Sequence, residues 1–221
     1  MNTAYKALYD KLGMKNARHK KLKKSEDFIG VTENGRKYYG GDQNWYYWQE
    51  DKNKGDIAVY SGCGSVAAAN AFAYMAENHD KYKNIKIYKS FQKSDYLEFM
   101  KKIYEYIQPV QIFGKSFGLG SPYLMKRKLR KCAKTYNINI SINDTKKFRK
   151  FNYLVDFINS ALEQDIPVMM LIGYNGKNME VYYEDSRVTK GEFMYHWITI
   201  TELIVDYEVE EAIIRCSTWG M

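Results

Sequence analysis

One stretch decides how this chain folds, and it runs Ser61-Gly62-Cys63-Gly64-Ser65-Val66-Ala67-Ala68-Ala69-Asn70-Ala71-Phe72-Ala73-Tyr74-Met75. Its alanines leave an almost smooth surface, which predicts a helix from about Gly64 to His79 that lies deep inside the domain. The N–H groups of a helix's first turn lack partners and carry partial positive charge. Cys63 stands at that turn between two glycines, so we expect its thiol to be biased toward the reactive thiolate. A nucleophile and a buried cap residue both fit this position.

Around this stretch, hydrophobic patterning predicts helices in the first two thirds of the chain and antiparallel strands in the last third. That order is typical of the α+β class. No repeat or clear linker interrupts the 221 residues. We therefore interpret residues 1–221 as a single domain, with two lobes as an alternative, in which residues 1–25 form an N-terminal helix and a basic connector.

Local patterns predict the individual elements. Amphipathic spacing predicts further helices over about residues 2–12, 94–107, 121–136 and 151–164. Strands are predicted over about residues 137–142, 166–174, 181–183, 195–203 and 211–219. Asn34-Gly35 and Asn175-Gly176 both predict tight hairpin turns. Residues 50–56 are polar and predict a loop.

The chain carries a formal net charge of +8. Two blocks supply much of it, Lys15–Lys24 and Lys126–Lys134, and such blocks attract nucleic acid, anionic lipid or acidic substrates. No recognition motif accompanies either block, so an ordinary solvated surface is the favoured interpretation and nucleic acid is a disfavoured partner.

Cysteine usage and hydropathy bear on compartment and cofactors. The three cysteines form no CxxC motif or His/Cys cluster, so we expect no metal and no cofactor. An odd cysteine count fits a reducing compartment, and residues 1–6 lack the apolar run of a secretory signal. No stretch is long and apolar enough to span a membrane. These features favour the cytoplasm, with secretion as the alternative if a signal peptide has been removed.

A cysteine nucleophile needs a base, usually histidine. The chain has three histidines. His19 lies inside the basic block and is expected to be exposed. His79 lies at the far end of the predicted helix, about 24 Å from Cys63 at 1.5 Å per residue. His196 remains, at the start of an alternating strand.

A third group usually orients a catalytic imidazole. If the last hairpin turns between Asp206 and Tyr207, Ser217 lies opposite His196 and its hydroxyl can accept an imidazole N–H. A register shifted by one residue would instead bring Cys216 or Thr218 to that place.

Three short motifs now resemble the papain-like cysteine peptidases, above all the bacteriocin-processing type and uncharacterised relatives from Gram-positive anaerobes. They are Gly62-Cys63-Gly64-Ser65-Val66-Ala67-Ala68-Ala69, His196-Trp197-Ile198-Thr199-Ile200-Thr201 and Ser217-Thr218-Trp219-Gly220. The resemblance implies a papain-like fold, with a central N-terminal helix packed on a C-terminal antiparallel sheet. It also implies a peptide or protein substrate. Residues 80–151 match no such motif.

The resemblance further implies roles for individual residues. Cys63 would be the nucleophile, His196 the base and Ser217 the orienting group, although such peptidases carry asparagine or aspartate there. The glutamine that stabilises the oxyanion usually stands six residues before the cysteine, where this chain has Ile57. Gln43, in a segment that resembles a glutamine-bearing one of these relatives, or Gln49 would replace it.

A papain-type alignment offers a second register, in which Cys63 is structural and Val66 occupies the nucleophile position. We prefer Cys63 because it opens the helix. Substrate contacts are predicted for the aromatic residues and the glycine around these motifs: Trp45, Trp48, Gly62, Trp197 and Trp219. For the patch Trp45–Trp48, a hydrophobic staple between lobes is the alternative.

The sequence therefore predicts a cysteine peptidase or related amide hydrolase. The departures at Ile57 and Ser217 keep a second hypothesis open, an inactive papain-like scaffold that binds or regulates. A basic nucleic-acid-binding protein is the third, supported by charge and aromatic content alone.

Overall fold

The computed structural model describes residues 3–113, 115–144, 150–182, 188–190 and 193–221. Helices and antiparallel strands combine in a mixed α and β structure, as the sequence predicted. The α-helices are α1 (Thr3–Leu12), α2 (Lys52–Ser61), α3 (Cys63–Asn78), α4 (Lys93–Tyr104), α5 (Pro122–Thr135) and α6 (Phe151–Glu163). The strands are β1 (Arg18–Lys21), β2 (Gly30–Glu33), β3 (Arg36–Tyr39), β4 (Gln111–Ile112), β5 (Lys115–Ser116), β6 (Val168–Ile172), β7 (Glu180–Tyr182), β8 (Val188–Lys190), β9 (His196–Asp206) and β10 (Glu211–Ser217).

The main sheet is built around β9, and all of its described pairings are antiparallel. β10 pairs with β9 from residue 199 to residue 206. β6 pairs with the first half of β9, and β1 pairs with its last residues. All eleven residues of β9 are buried. The strand that begins at His196 is therefore held firmly by its neighbours.

The predicted central helix is confirmed as α3. Thirteen of its sixteen residues are buried. It packs on β9, where the Thr199 hydroxyl donates to the Ala67 carbonyl at 3.2 Å. The small residues Ala67, Ala68 and Ala69 allow this close approach, so the start of α3 lies beside the start of β9.

Two predicted irregular segments are regular in the structure. Residues 52–56 of the predicted loop belong to α2 (Lys52–Ser61), because Asp51 caps the helix by accepting from the Lys54 N–H at 2.9 Å. The basic connector of residues 15–24 contains β1, whose residues pair with β9 from Glu202 to Val205. Both segments are polar, so hydrophobic periodicity did not reveal them.

Two predicted β features are absent from the described residues. Residues 137–142 form no strand; Asn137 adopts a φ of 54°, a left-handed turn that directly follows α5. Asn175-Gly176 lies inside a short 3-10 helix, Tyr174–Asn178, instead of a hairpin turn. The hairpin turn predicted at Asn34-Gly35 is confirmed: it joins β2 and β3, with positive φ at both residues as a type I′ turn requires.

The other predicted helices and strands are found within a few residues of their expected bounds. Residues 2 and 183 of the predicted elements lie outside the described part of the chain. The single-domain interpretation stays a prediction. Among the described residues, no helix is long and apolar enough to cross a membrane.

Candidate active site

The joint between α2 and α3 places Cys63. Gly62 separates the two helices, and a Cβ on it would lie 2.2 Å from the Ala58 carbonyl oxygen and 2.9 Å from the Tyr46 ring. A side chain at Gly62 would therefore force α2 and Tyr46 away from the joint. Gly62 is itself buried. Its role in this structure is to let α2 turn directly into α3.

The Cys63 thiol is buried, with 9% of the residue exposed. Burial raises the pKa of the Cys63 thiol, although the N–H groups of Trp197, Gly64 and Cys63 itself pull that pKa down. The expectation of a thiolate set up by the helix start is therefore wrong for this structure, because desolvation outweighs the N–H groups. The thiol is neutral, and it contacts the N–H of Trp197, the residue that follows His196 in β9.

His196 is also buried, with 7% of the residue exposed. Burial lowers the pKa of His196 to about 4, so its imidazole is neutral at pH 7. Within the described part of the chain, no hydrogen bond joins the Cys63 sulfur to this ring. The Cys63 thiol and the His196 imidazole are thus both neutral, and the structure links them through the Trp197 N–H, which follows His196 in β9 and contacts the thiol.

Thr218, rather than Ser217, contacts the histidine. The His196 Nε2 and the Thr218 Oγ1 lie 2.6 Å apart. The predicted hairpin register is wrong: Ser217 pairs with Thr199, because the turn spans residues 207–210 and the register shifts between Arg215 and Cys216. Thr218 lies one residue past the end of β10.

Ser217 has a different set of partners. Its hydroxyl donates to the Tyr39 carbonyl at 2.5 Å and accepts from the Asn70 side-chain amide at 3.1 Å. The Asn70 Oδ1 in turn accepts from the Tyr96 hydroxyl at 2.8 Å and from the Gly41 N–H at 2.9 Å. Ser217 therefore ties β10 to α3 and β3, which is a structural role.

Trp219 covers the histidine. Its ring lies 4.5 Å from the His196 ring, centroid to centroid, with 31° between the planes. Phe193 contacts both rings edge-on, at 5.7 Å from His196 and 5.1 Å from Trp219. These aromatic rings keep water from the bond between His196 and Thr218.

Two residues at the histidine have a left-handed backbone: the one that precedes it in the chain and the one whose ring covers it. Tyr195 has a φ of 56° and Trp219 a φ of 47°. A bulky residue pays an energetic cost for this conformation, and such strain gathers at functional sites. The side chain of Tyr195 is 62% exposed, so packing of that side chain does not explain its backbone.

Gln43 lies against α2. Its Nε2 donates to the Val59 carbonyl at 2.8 Å. Its Oε1 is buried and has no hydrogen-bond partner in the described part of the chain. A carboxamide nitrogen carries two N–H groups. One holds Gln43 on α2, which leaves the second for a ligand. Gln49 is exposed.

The remaining tryptophans mostly serve packing. Trp48 packs against Tyr46 and Tyr104, with ring centroids 5.5 and 5.3 Å away. Trp45 packs edge-on against Tyr38 at 5.0 Å.

Trp197 is buried, and its Nε1 donates to the Leu119 carbonyl at 2.6 Å. Gly64 lies against the same ring, since a Cβ on it would lie 3.3 Å from Trp197 Cδ1. Among the predicted substrate contacts, Gly62 and the Trp197 N–H adjoin Cys63, and the Trp219 ring lies against His196.

The other cysteines and histidines lie away from this pair. Cys132 is fully buried on the apolar side of α5. His79 ends α3 and its Nε2 lies 2.9 Å from the Asp165 carbonyl oxygen. His19 is exposed and lies 2.9 Å from the buried Glu202 carboxylate. Within the described residues, no cluster of His, Cys, Asp and Glu could hold a metal.

Sequence reasoning gave less weight to Thr218 and missed the Trp197 N–H. Thr218 was one of two alternatives that a register shifted by one residue would bring to His196, but the observed pairing is displaced by three residues, and Thr218 contacts His196 from beyond the end of β10. No sequence signal marks a backbone N–H that points at a thiol.

Comparisons of this chain with protein-family models, with curated proteins and with solved structures found no match.

Proposed function

We propose that this chain is a papain-like cysteine peptidase or a related amide hydrolase, with Cys63 as nucleophile and His196 as base. One observation carries the proposal. The buried bond of 2.6 Å between His196 and Thr218 holds an imidazole at the start of β9, where the N–H of the next residue, Trp197, contacts the Cys63 thiol at the start of α3. A base held by a third group next to a nucleophile is the arrangement of covalent catalysis.

The proposed reaction starts from a neutral pair. With Thr218 accepting from Nε2–H of His196, the Nδ1 atom is the acceptor for the thiol proton. Rotation of the Cys63 side chain away from the Trp197 N–H presents the sulfur to a substrate carbonyl. As the S–C bond forms, the thiol proton passes to Nδ1 and the carbonyl oxygen becomes an oxyanion.

The oxyanion would be held by the Cys63 N–H and by the second N–H of the Gln43 amide. Such donors are typically worth about 2–4 kcal/mol of barrier. Collapse of the intermediate breaks the C–N bond, and the imidazolium returns its proton to the leaving amine. Water then gives a proton to Nδ1 of His196 as its oxygen adds to the thioester carbonyl. Collapse breaks the C–S bond, releases the carboxylic acid and returns the proton from Nδ1 to the Cys63 sulfur.

A second candidate function is a binding module on an inactive scaffold. It is favoured by the burial of the Cys63 thiol and by the contact of that thiol with the Trp197 N–H. In that case Cys63 is a buried cap residue, and the His196–Thr218 bond stabilises the end of the sheet.

A biotin-tagged peptidyl vinyl sulfone separates the two functions. The proposed hydrolase forms one adduct, located on Cys63 by mass spectrometry, and the variant His196→Ala forms it far more slowly. Thr218→Ser is the matched control that keeps the orienting hydroxyl. No adduct on Cys63, or equal labelling of wild type and His196→Ala, would contradict the proposal and support the binding module.

A further inference from the structure

A basic groove lies between the end of α4 and one face of α5. Its volume is about 450 Å³ and it is lined by Glu105, Tyr106, Gln108, Leu124, Arg127, Lys128 and Lys131. The four α5 residues recur at the spacing of a single helix face. Three of those four are cations. This face of α5 is therefore charged, whereas a face packed on a core would be apolar. Together with the end of α4 it forms a concave surface.

The lining of this groove carries a net positive charge. Within the described residues, Arg127, Lys128 and Lys131 form no ion pair, whereas Lys126 on the same helix lies 3.3 Å from Asp144. The single carboxylate of the lining, on Glu105, pairs with Lys54. Burial, together with the neighbouring charges of Lys131 and Arg127, lowers the pKa of Lys128.

The rest of the lining suits a small organic anion. The Tyr106 ring is held edge-on against Tyr136, with centroids 6.2 Å apart, and Leu124 adds an apolar wall. A volume of this size fits a small molecule. A concave surface with one sign of charge focuses the field on a ligand of opposite charge. Arginine and lysine together are the usual ligands of phosphoryl oxygens.

We propose that this groove binds a small ligand that carries a chain of phosphoryl groups, held by Arg127, Lys128 and Lys131. The chain is either inorganic or carried by a nucleoside whose ring lies against Tyr106. An acidic peptide is disfavoured because the groove has the dimensions of a small-molecule site.

Isothermal titration of the full chain with inorganic tripolyphosphate and with ATP tests the proposal. Both ligands should bind, and Lys128→Gln/Lys131→Gln should weaken each by at least about tenfold, the usual value of a hydrogen bond to a charged group. The matched control is Arg130→Gln/Lys134→Gln, which removes the same charge from an exposed face of α5 outside the groove. That control should change binding by less than about twofold.

The two sources of the phosphoryl chain give different results. A nucleotide ligand predicts that ATP binds more tightly than tripolyphosphate and that Tyr106→Leu removes the difference. An inorganic ligand predicts equal binding that Tyr106→Leu leaves unchanged. Lys131→Gln alone, at an exposed position, repeats the test if the double variant does not fold, as thermal melting would show. The proposal is overturned by equal weakening in both double variants, by hexaglutamate binding as tightly as tripolyphosphate, or by no binding.

Discussion

The Nε2 atom of His196 lies 2.6 Å from the hydroxyl oxygen of Thr218, in a bond that Trp219 covers. The bond joins the first residue of β9 to the residue that follows β10. It fixes the plane of a buried, neutral imidazole. The Thr218 hydroxyl orients this ring but places no negative charge beside it. Burial alone therefore lowers the pKa of His196.

Replacing Thr218 by valine should slow the reaction of Cys63. Valine keeps the shape of the side chain but removes the acceptor, so His196 loses its fixed tautomer and orientation. We expect vinyl sulfone labelling of Cys63 to be slower by about tenfold, the effect of about 1.4 kcal/mol on the barrier. Thr218→Ser should restore most of the rate. Equal rates for the valine variant and wild type would show that Thr218 does not orient the base.

Ser217→Ala should instead lower the free energy of unfolding. The substitution leaves the buried Asn70 amide and the Tyr39 carbonyl without their partner, which costs about 1–3 kcal/mol of unfolding free energy. Urea denaturation measures this loss. Labelling of Cys63 should remain close to that of wild type. If Ser217→Ala slowed labelling as much as Thr218→Val does, Ser217 would be the group that orients His196.

Stability should fall in acid because of His196. The unfolded chain takes up a proton on this residue as pH falls through about 6.5. In the folded protein the pKa of His196 is about 4, so the ring takes up its proton only near that pH. The unfolded state therefore binds more protons in that window, and the folded state loses about 3 kcal/mol across it.

This prediction is measured by urea denaturation at a series of pH values. The variant His196→Gln lacks the titrating ring, so its free energy of unfolding should fall less than that of wild type. Because other groups titrate alike in both proteins, the difference isolates His196. Identical pH dependence in the two proteins would mean that the folded imidazole accepts its proton at the ordinary pH.

The left-handed backbone at Tyr195 makes a prediction about glycine. A residue with a Cβ pays about 1–2 kcal/mol in this conformation, part of which glycine gives back as chain entropy. Tyr195→Gly should therefore be more stable than Tyr195→Ala by about 1 kcal/mol, as measured by thermal or urea unfolding. Alanine is the matched control because it also removes the exposed ring. A more stable alanine variant would show that the strain is absent.

The elements that depend on local sequence could be predicted. The small residues of α3 predicted a buried helix. Elimination among the three histidines left His196 as the candidate base. The edge strand β1 could not be predicted, because its pairing with β9 comes from a partner about 180 residues away. The helix α2 was missed because Asp51 supplies its cap and its own sequence shows little periodicity.

The partner of His196 could be predicted only as a set of alternatives. Register in the last hairpin depends on a turn over residues 207–210 and on a shift between Arg215 and Cys216. No local pattern fixes either feature, and each residue of slippage changes which side chain meets the ring. The protonation state of Cys63 could not be predicted from the sequence either, because it depends on how deeply the start of α3 is buried.

The central claim is that His196 acts as the base for Cys63, and the rate at which iodoacetamide alkylates Cys63 tests it most directly. Peptide mass spectrometry separates this thiol from Cys132 and Cys216 across about pH 5–9, a range in which His196 is neutral. The account predicts that at pH 7 wild type reacts at least about tenfold faster than His196→Ala. Equal rates for the two proteins at every pH would contradict it.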